Sequence, residues 1–202
     1  MSVTPLKIGV LALQGDFSLH AAALARCGAQ AVEVRKPEQL ADLDGLIMPG
    51  GESTTLLKLM EAWGFVPALE KFHRAGRPIF GTCAGLILLA RGVESPKQFS
   101  LGLIDVDVER NAYGRQRESF EAHGRATLGG RDAALEMVFI RAPRIRRTGP
   151  GVETLAHHGG APVMAREGTV LVATFHPELT DDSTVHAYFC EMVEAARQGV
   201  AA

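Results

Sequence analysis

The chain has 202 residues, 47% of them hydrophobic and 22% charged, with a formal net charge of -2. That length suits one domain with a substantial core, and so even a charge balance argues against a polyelectrolyte partner. No apolar run approaches the ~18 residues of a membrane span, and the three cysteines, Cys27, Cys83 and Cys190, are odd in number and far apart. Neither a disulfide framework nor a zinc site is indicated, and the expectation is a cytoplasmic, reducing location.

The first predicted strand is Lys7 to Leu13, stopped by Gln14-Gly15-Asp16. Phe17 to Cys27 then carries apolar residues at helical spacing until Gly28. A second strand covers Ala31 to Arg35, a helical turn Pro37 to Leu43, and a third strand Gly45 to Met48, ending at Pro49-Gly50-Gly51. Helices are predicted from Ser53 to Trp63 and from Val66 to Ala75, interrupted at Gly64 and Pro67, with Ser53 or Thr54 as the cap of the first.

Arg77 to Ala90 is the stretch that the rest serves. A short apolar run enters Gly81-Thr82-Cys83-Ala84-Gly85 and leaves through an unbroken apolar segment, which reads as strand, sharp turn and buried helix. In a nucleophile elbow of this kind the flanking glycines relieve crowding, and the nucleophile sits beside the unpaired N–H groups of a helix N-terminus. A cysteine that merely fills space needs neither glycine. Cys83 is therefore the candidate nucleophile, conditional on a base elsewhere.

Beyond Gly92 the predicted strands are Leu101 to Val108, Ser119 to Leu128, Met137 to Ile140, Val152 to Leu155 and Val170 to Phe175, with short turns between them. An amphipathic helix over Thr184 to Arg197 closes the chain. Alternating strands and helices followed by an antiparallel portion imply an α/β fold, a central, mostly parallel sheet flanked by helices, in a single domain over residues 1–202. Ligands of such sheets gather at the carboxyl ends of the strands.

The base is found there. In Phe175-His176-Pro177-Glu178, proline favours an extended His176, and two extended residues separated by one project to the same side. Glu178 is thus expected to fix the imidazole tautomer while the other ring nitrogen exchanges a proton with the nucleophile. The glycine-rich turn at Gly50-Gly51 lets backbone N–H groups approach a ligand, so the amides of Gly51 and Ala84 are the candidate oxyanion hole. As a phosphate loop it is poor, lacking the Gly-Lys-Ser/Thr ending.

Leu11-Ala12-Leu13-Gln14-Gly15, Pro49-Gly50-Gly51-Glu52-Ser53-Thr54, Gly81-Thr82-Cys83-Ala84-Gly85, Arg110-Asn111-Ala112-Tyr113-Gly114-Arg115-Gln116, Phe139-Ile140-Arg141-Ala142-Pro143 and His176-Pro177-Glu178-Leu179-Thr180 together resemble the glutaminase subunits of pyridoxal 5'-phosphate synthase, a family of class I glutamine amidotransferases. The resemblance covers nearly the whole chain. It implies a flavodoxin-like class I amidotransferase fold, hydrolysis of L-glutamine to glutamate, and delivery of ammonia to a separate synthase subunit in a hetero-oligomer. Carried over by position, it makes Cys83, His176 and Glu178 the catalytic triad, with Gly51, Glu52, Ser53, Arg110, Ile140 and Arg141 contacting glutamine. No cofactor and no metal are implied. Arginines suit the carboxylate of a free amino acid, and Glu52 suits its ammonium.

Other readings were weighed. Cys27 and Cys190 read as core, and His20, His73 and His186 as surface or satisfied residues on helices. Arg141, Arg144, Arg146 and Arg147 read as a solvated loop with one substrate arginine, or part of a docking face, rather than a nucleic-acid site, which would want aromatic interleaving. Rival functions are the glutaminase of imidazole glycerol phosphate synthase, a cysteine hydrolase or redox sensor, and a catalytically silent binding subunit. The last is opposed by the intact Cys83, His176 and Glu178.

Overall fold

A computed structural model describes residues 4–110 and 119–199. The predicted stretch 111–118, which carries most of the Arg110 to Gln116 motif, lies outside the described residues. The strands are β1 (Lys7–Leu11), β2 (Gln30–Val34), β3 (Gly45–Met48), β4 (Ile79–Thr82), β5 (Ala90–Glu94), β6 (Ile104–Glu109), β7 (Ser119–Leu128), β8 (Arg131–Ile140), β9 (Arg144–Thr148), β10 (Glu153–His158), β11 (Ala161–Glu167) and β12 (Val170–Ala173). Between them run α1 (Phe17–Arg26), α2 (Ser53–Ala62), α3 (Phe65–Arg74), α4 (Ala84–Leu89) and α5 (Thr184–Arg197).

Among the described residues the larger sheet has the order β2-β1-β3-β4-β12-β11-β10-β7-β8. The pairings from β2 to β12 are parallel and those from β12 to β8 antiparallel. A smaller sheet, β5-β6-β9, stands apart. Period-two alternation explains why helices cover both faces of the parallel half. From β3, Leu46 and Met48 enter one core with Leu56 and Met60 of α2, Phe65 and Leu69 of α3 and Leu86 and Leu89 of α4. Ile47 points the other way, joining Leu24 of α1 and Val185, Phe189 and Val193 of α5. On β12, Val170 and Val172 split from Leu171 and Ala173 in the same manner. No described helix is long and apolar enough to cross a membrane.

Several expectations change. α3 begins at Phe65 and contains Pro67, which the first turn tolerates because its N–H would lack an intrahelical partner anyway. Glu52, rather than Ser53 or Thr54, caps α2: its carboxylate accepts from the N–H groups of Thr54 at 2.9 Å and Thr55 at 2.8 Å. The apolar run after the elbow divides, α4 ending at Leu89 and β5 starting at Ala90. Nor is the arginine cluster a solvated loop. Arg144, Arg146 and Arg147 lie on β9, where Arg147 pairs with Asp105 and Asp107 of β6 and Arg146 with Glu109.

Candidate active site

The place of Cys83, the candidate nucleophile, is built by close packing. A Cβ on Gly85 would lie 2.1 Å from the Met48 carbonyl oxygen, and one on Gly81 would lie 2.6 Å from Leu89 Cδ1 and 2.7 Å from the Gly85 carbonyl carbon. Only glycine lets α4 sit this tightly on the ends of β3 and β4. Between the two glycines Cys83 has φ 47° and ψ -100°, a backbone conformation that costs a non-glycine residue about 1–3 kcal/mol. Its N–H donates to Ala173 O at 2.9 Å, which fixes the elbow to β12. The side chain is buried to 6% exposure and reaches a cavity of about 300 Å³.

His176 follows β12 at the same end of the sheet. Its N–H donates to Val138 O of β8 at 2.8 Å, and ring Nδ1 lies 2.8 Å from Glu178 Oε1. The route differs from two extended residues side by side: Pro177–Leu179 form a 3-10 turn, and that turn folds Glu178 back under the ring. Cys83 lies beside the imidazole on the wall of the same cavity. Burial opposes a charge on His176, yet the hydrogen bonds to Cys83 and Glu178 outweigh it and push the imidazole up to about 10. Burial likewise opposes the Glu178 carboxylate, and His20 and His176 beside it hold the group below the usual carboxylate range. His176 thus stands between the Glu178 carboxylate, 2.8 Å from its Nδ1, and the cavity that Cys83 lines.

The same cavity is lined by Gln14, Asp16, Gly51, Glu52, Ser53, Ile87, Arg110, Ile140 and Arg141. All six residues expected to contact glutamine are therefore brought together with Cys83 and His176. Arg110 Nη2 lies 3.6 Å from Glu52 Oε1 and donates to Thr54 Oγ1 at 3.2 Å. Ser53 Oγ donates to Gln98 Oε1 at 3.1 Å. Ile140 ends β8 and Arg141 follows at φ 42°, so the chain turns sharply at the cavity rim. Glu52 carries a second task. Burial raises its carboxyl, and the hydrogen bonds from Thr54 and Thr55 together overcome this to hold it at about 2. Ala84, the other expected oxyanion donor, is fully buried at the first position of α4, directly after the nucleophile.

The residue-by-residue reading of the sequence left three participants without a role. Gln14 packs over Gly51, where a Cβ would lie 2.5 Å from Gln14 Nε2, and its Oε1 is buried without a hydrogen bond. The signal was its place directly after β1, where parallel sheets present ligands. His20 and His186, taken for surface or satisfied residues, are fully buried behind Glu178. Their burial was invisible locally because the contact joins helices 166 residues apart.

Known proteins resemble this chain over nearly its whole length. The profile of the SNO glutamine amidotransferase family matches residues 10–195. A protein named pyridoxal 5'-phosphate synthase subunit PdxT, from Koribacter versatilis (strain Ellin345), is 55% identical over 194 residues, 96% of this chain and 99% of that one. Its namesake from Niallia circulans is 50% identical over 95% of this chain and 100% of its own. A solved structure described as a glutamine amidotransferase superposes with a TM-score of 0.86 at 50% identity, covering 93% of this chain and 98% of that one. PurLQS from Thermotoga maritima, at 14% identity and a TM-score of 0.68, shares the fold. The chain belongs to the SNO glutamine amidotransferase family.

Proposed function

We propose that this protein is the glutaminase subunit of a pyridoxal 5'-phosphate synthase, hydrolysing L-glutamine to L-glutamate and ammonia and passing the ammonia to a synthase subunit. The observation that carries the reading is the convergence of Cys83 and a His176 held by Glu178 on one cavity that also holds Glu52, Arg110 and Arg141. A cysteine hydrolase without amino-acid specificity has no use for that charged rim.

Cys83 sulfur attacks the side-chain amide carbon of glutamine, and the electron pair of the C=O bond moves onto oxygen. The Gly51 and Ala84 amides are the donors assigned to that oxyanion. Collapse of the tetrahedral intermediate breaks the C–N bond, and His176 delivers its proton to the departing nitrogen, which leaves as ammonia. Water then gives a proton to the same imidazole and attacks the γ-glutamyl thioester; the C–S bond breaks, releasing glutamate, whose carboxyl proton goes to solvent, and leaving the sulfur as thiolate beside the reprotonated ring. Glu178 keeps the ring oriented through both half-reactions and supports its positive charge.

Gly51, Glu52, Ser53, Arg110, Ile140 and Arg141 are assigned to the glutamine. Arginine forks match its α-carboxylate, and Glu52 is the one acidic side chain of the set. Ammonia released into bulk water becomes mostly ammonium, a poor nucleophile, so the subunit gains from working while docked on its acceptor. The test is glutamate release from glutamine, with and without the synthase subunit, for wild type and Cys83→Ala. Release that rises on adding the synthase and vanishes in Cys83→Ala supports the reading; equal release by both proteins, or none by the wild-type complex, rejects it.

A further inference from the structure

Behind the run of Cys83, His176 and Glu178 lies a second pair of side chains that the mechanism above does not use. His20 of α1 and His186 of α5 are both fully buried, with His20 Nδ1 2.9 Å from His186 Nε2. His20 Nε2 lies 3.3 Å from Thr82 Oγ1, the residue before the nucleophile, and 3.3 Å from Glu178 Oε2. That carboxylate oxygen is buried and accepts no hydrogen bond, since Oε1 alone is taken by His176. His186 Nδ1 is also buried without a hydrogen bond.

These contacts fix the protons. If His20 Nδ1 carried the hydrogen, His186 Nε2 would have to accept it, and a buried His186 Nδ1–H would be left with no partner. The lone pair of His20 Nε2 would then face a carboxylate. Both are costly. In the opposite arrangement His186 Nε2–H donates to His20 Nδ1, and His20 Nε2–H donates to Thr82 Oγ1 with Glu178 Oε2 equally near, 3.3 Å from the same nitrogen. The atom left bare, His186 Nδ1, is then a lone pair rather than an N–H. Both rings are neutral in this arrangement. Burial lowers His20 and pushes His186 down to about 3, so neither takes up a proton near neutrality. The charged and titratable groups around His20 are Glu178, His176 and Asp16; those around His186 are His20, Glu178, Arg26 and Asp182.

We infer that His20, held in one tautomer by His186, is a positioning residue that fixes the second oxygen of Glu178 and so keeps the first on His176. This rests on the assignment of Cys83, His176 and Glu178 to glutamine hydrolysis. A buried carboxylate with one oxygen uncompensated turns toward whatever donor it finds, and here the only ring to lose by that rotation is the catalytic base. By touching Thr82 as well, His20 ties the acid to the strand that ends at the nucleophile. The N–H end, rather than the volume of the ring, is the feature that matters.

The test compares His20→Leu, which removes the N–H, with His20→Gln, whose amide nitrogen reaches the place of Nε2. In the complex with the synthase subunit, His20→Leu is expected to lower kcat at least about tenfold with KM for glutamine within about twofold, and His20→Gln to recover most of the loss. In the chain alone, nuclear magnetic resonance of the His176 ring reads the same effect without turnover: its titration moves down by about one pH unit in His20→Leu and stays put in His20→Gln. Equal losses in both variants, or an unmoved His176 titration in His20→Leu, overturn the proposal. Should His20→Leu not fold, His20→Asn, whose shorter amide reaches His186 and not Glu178, takes its place against His20→Gln, and equal behaviour of that pair overturns it too. A wild-type complex that releases no glutamate rejects the glutaminase reading alone, because the ring titration still decides the role of His20.

Discussion

Gly50 lies directly against the ring of His176: a Cβ there would fall 2.3 Å from Cε1, 2.9 Å from Nδ1 and 3.3 Å from Nε2. The imidazole has nowhere to retreat, being buried and held by Glu178 at Nδ1. Gly50→Ala is therefore expected to push the base out of line with Cys83 while the fold survives. A shift of this order typically costs about a hundredfold in rate, or ~2.7 kcal/mol in the barrier. Steady-state kinetics in the synthase complex, with circular dichroism as the control, measures it; activity within threefold of wild type would contradict the packing described.

Glu52 has a different signature. Its folded-state value, about 2, lies below the ordinary 4.5, so its stabilising effect is present above pH 4.5 and lost as pH falls toward 2. Because the side chain is half exposed, solvent screening keeps the effect small. Glu52→Gln should lose about 1 kcal/mol or less at neutral pH, with the gap to wild type constant down to about pH 5 and closing below it. Thermal denaturation across pH 2–7 reads this directly. A gap that does not depend on pH would mean the carboxylate charge has no part in the cap.

The three thiols should separate cleanly. Cys27 and Cys190 touch each other, burial pushes Cys27 up, and burial with the neighbouring Cys27 pushes Cys190 up to about 12. Neither offers a thiolate near neutrality. An electrophilic glutamine analogue, such as a chloroketone, is expected to label one cysteine per chain at pH 7 in the synthase complex. Mass spectrometry should find the label on Cys83, absent in Cys83→Ala and unchanged in Cys27→Ser/Cys190→Ser. Labelling that survives Cys83→Ala would place reactivity elsewhere.

The parallel half of the sheet was legible in the sequence because each strand there is a short apolar run stopped by glycine or proline, as Gly45 to Met48 before Pro49 shows. β9 was not legible. Arg144-Ile145-Arg146-Arg147 reads as a charged loop until the acids of β6 are seen across the ladder, since what makes it a strand is cross-strand charge pairing rather than its own propensity. β5 was hidden for the opposite reason. An uninterrupted apolar run carries no mark where helix gives way to strand at Ala90. In the site, residue types and spacing pointed to Cys83, His176 and Glu178, whereas the backing of Glu178 by His20 and His186 depends on two helices meeting, which no local pattern records.

β8 is an edge strand of the large sheet, and it touches the candidate site twice. Two residues before its end, Val138 O receives the N–H of His176; at the end itself, Ile140 and the following Arg141 form part of the cavity wall. The strand works as a lever with both loads on one arm. Tilting it by a fraction of a turn moves the proposed proton carrier, His176, and the proposed ligand contacts, Ile140 and Arg141, together, so neither can be retuned by itself through that strand.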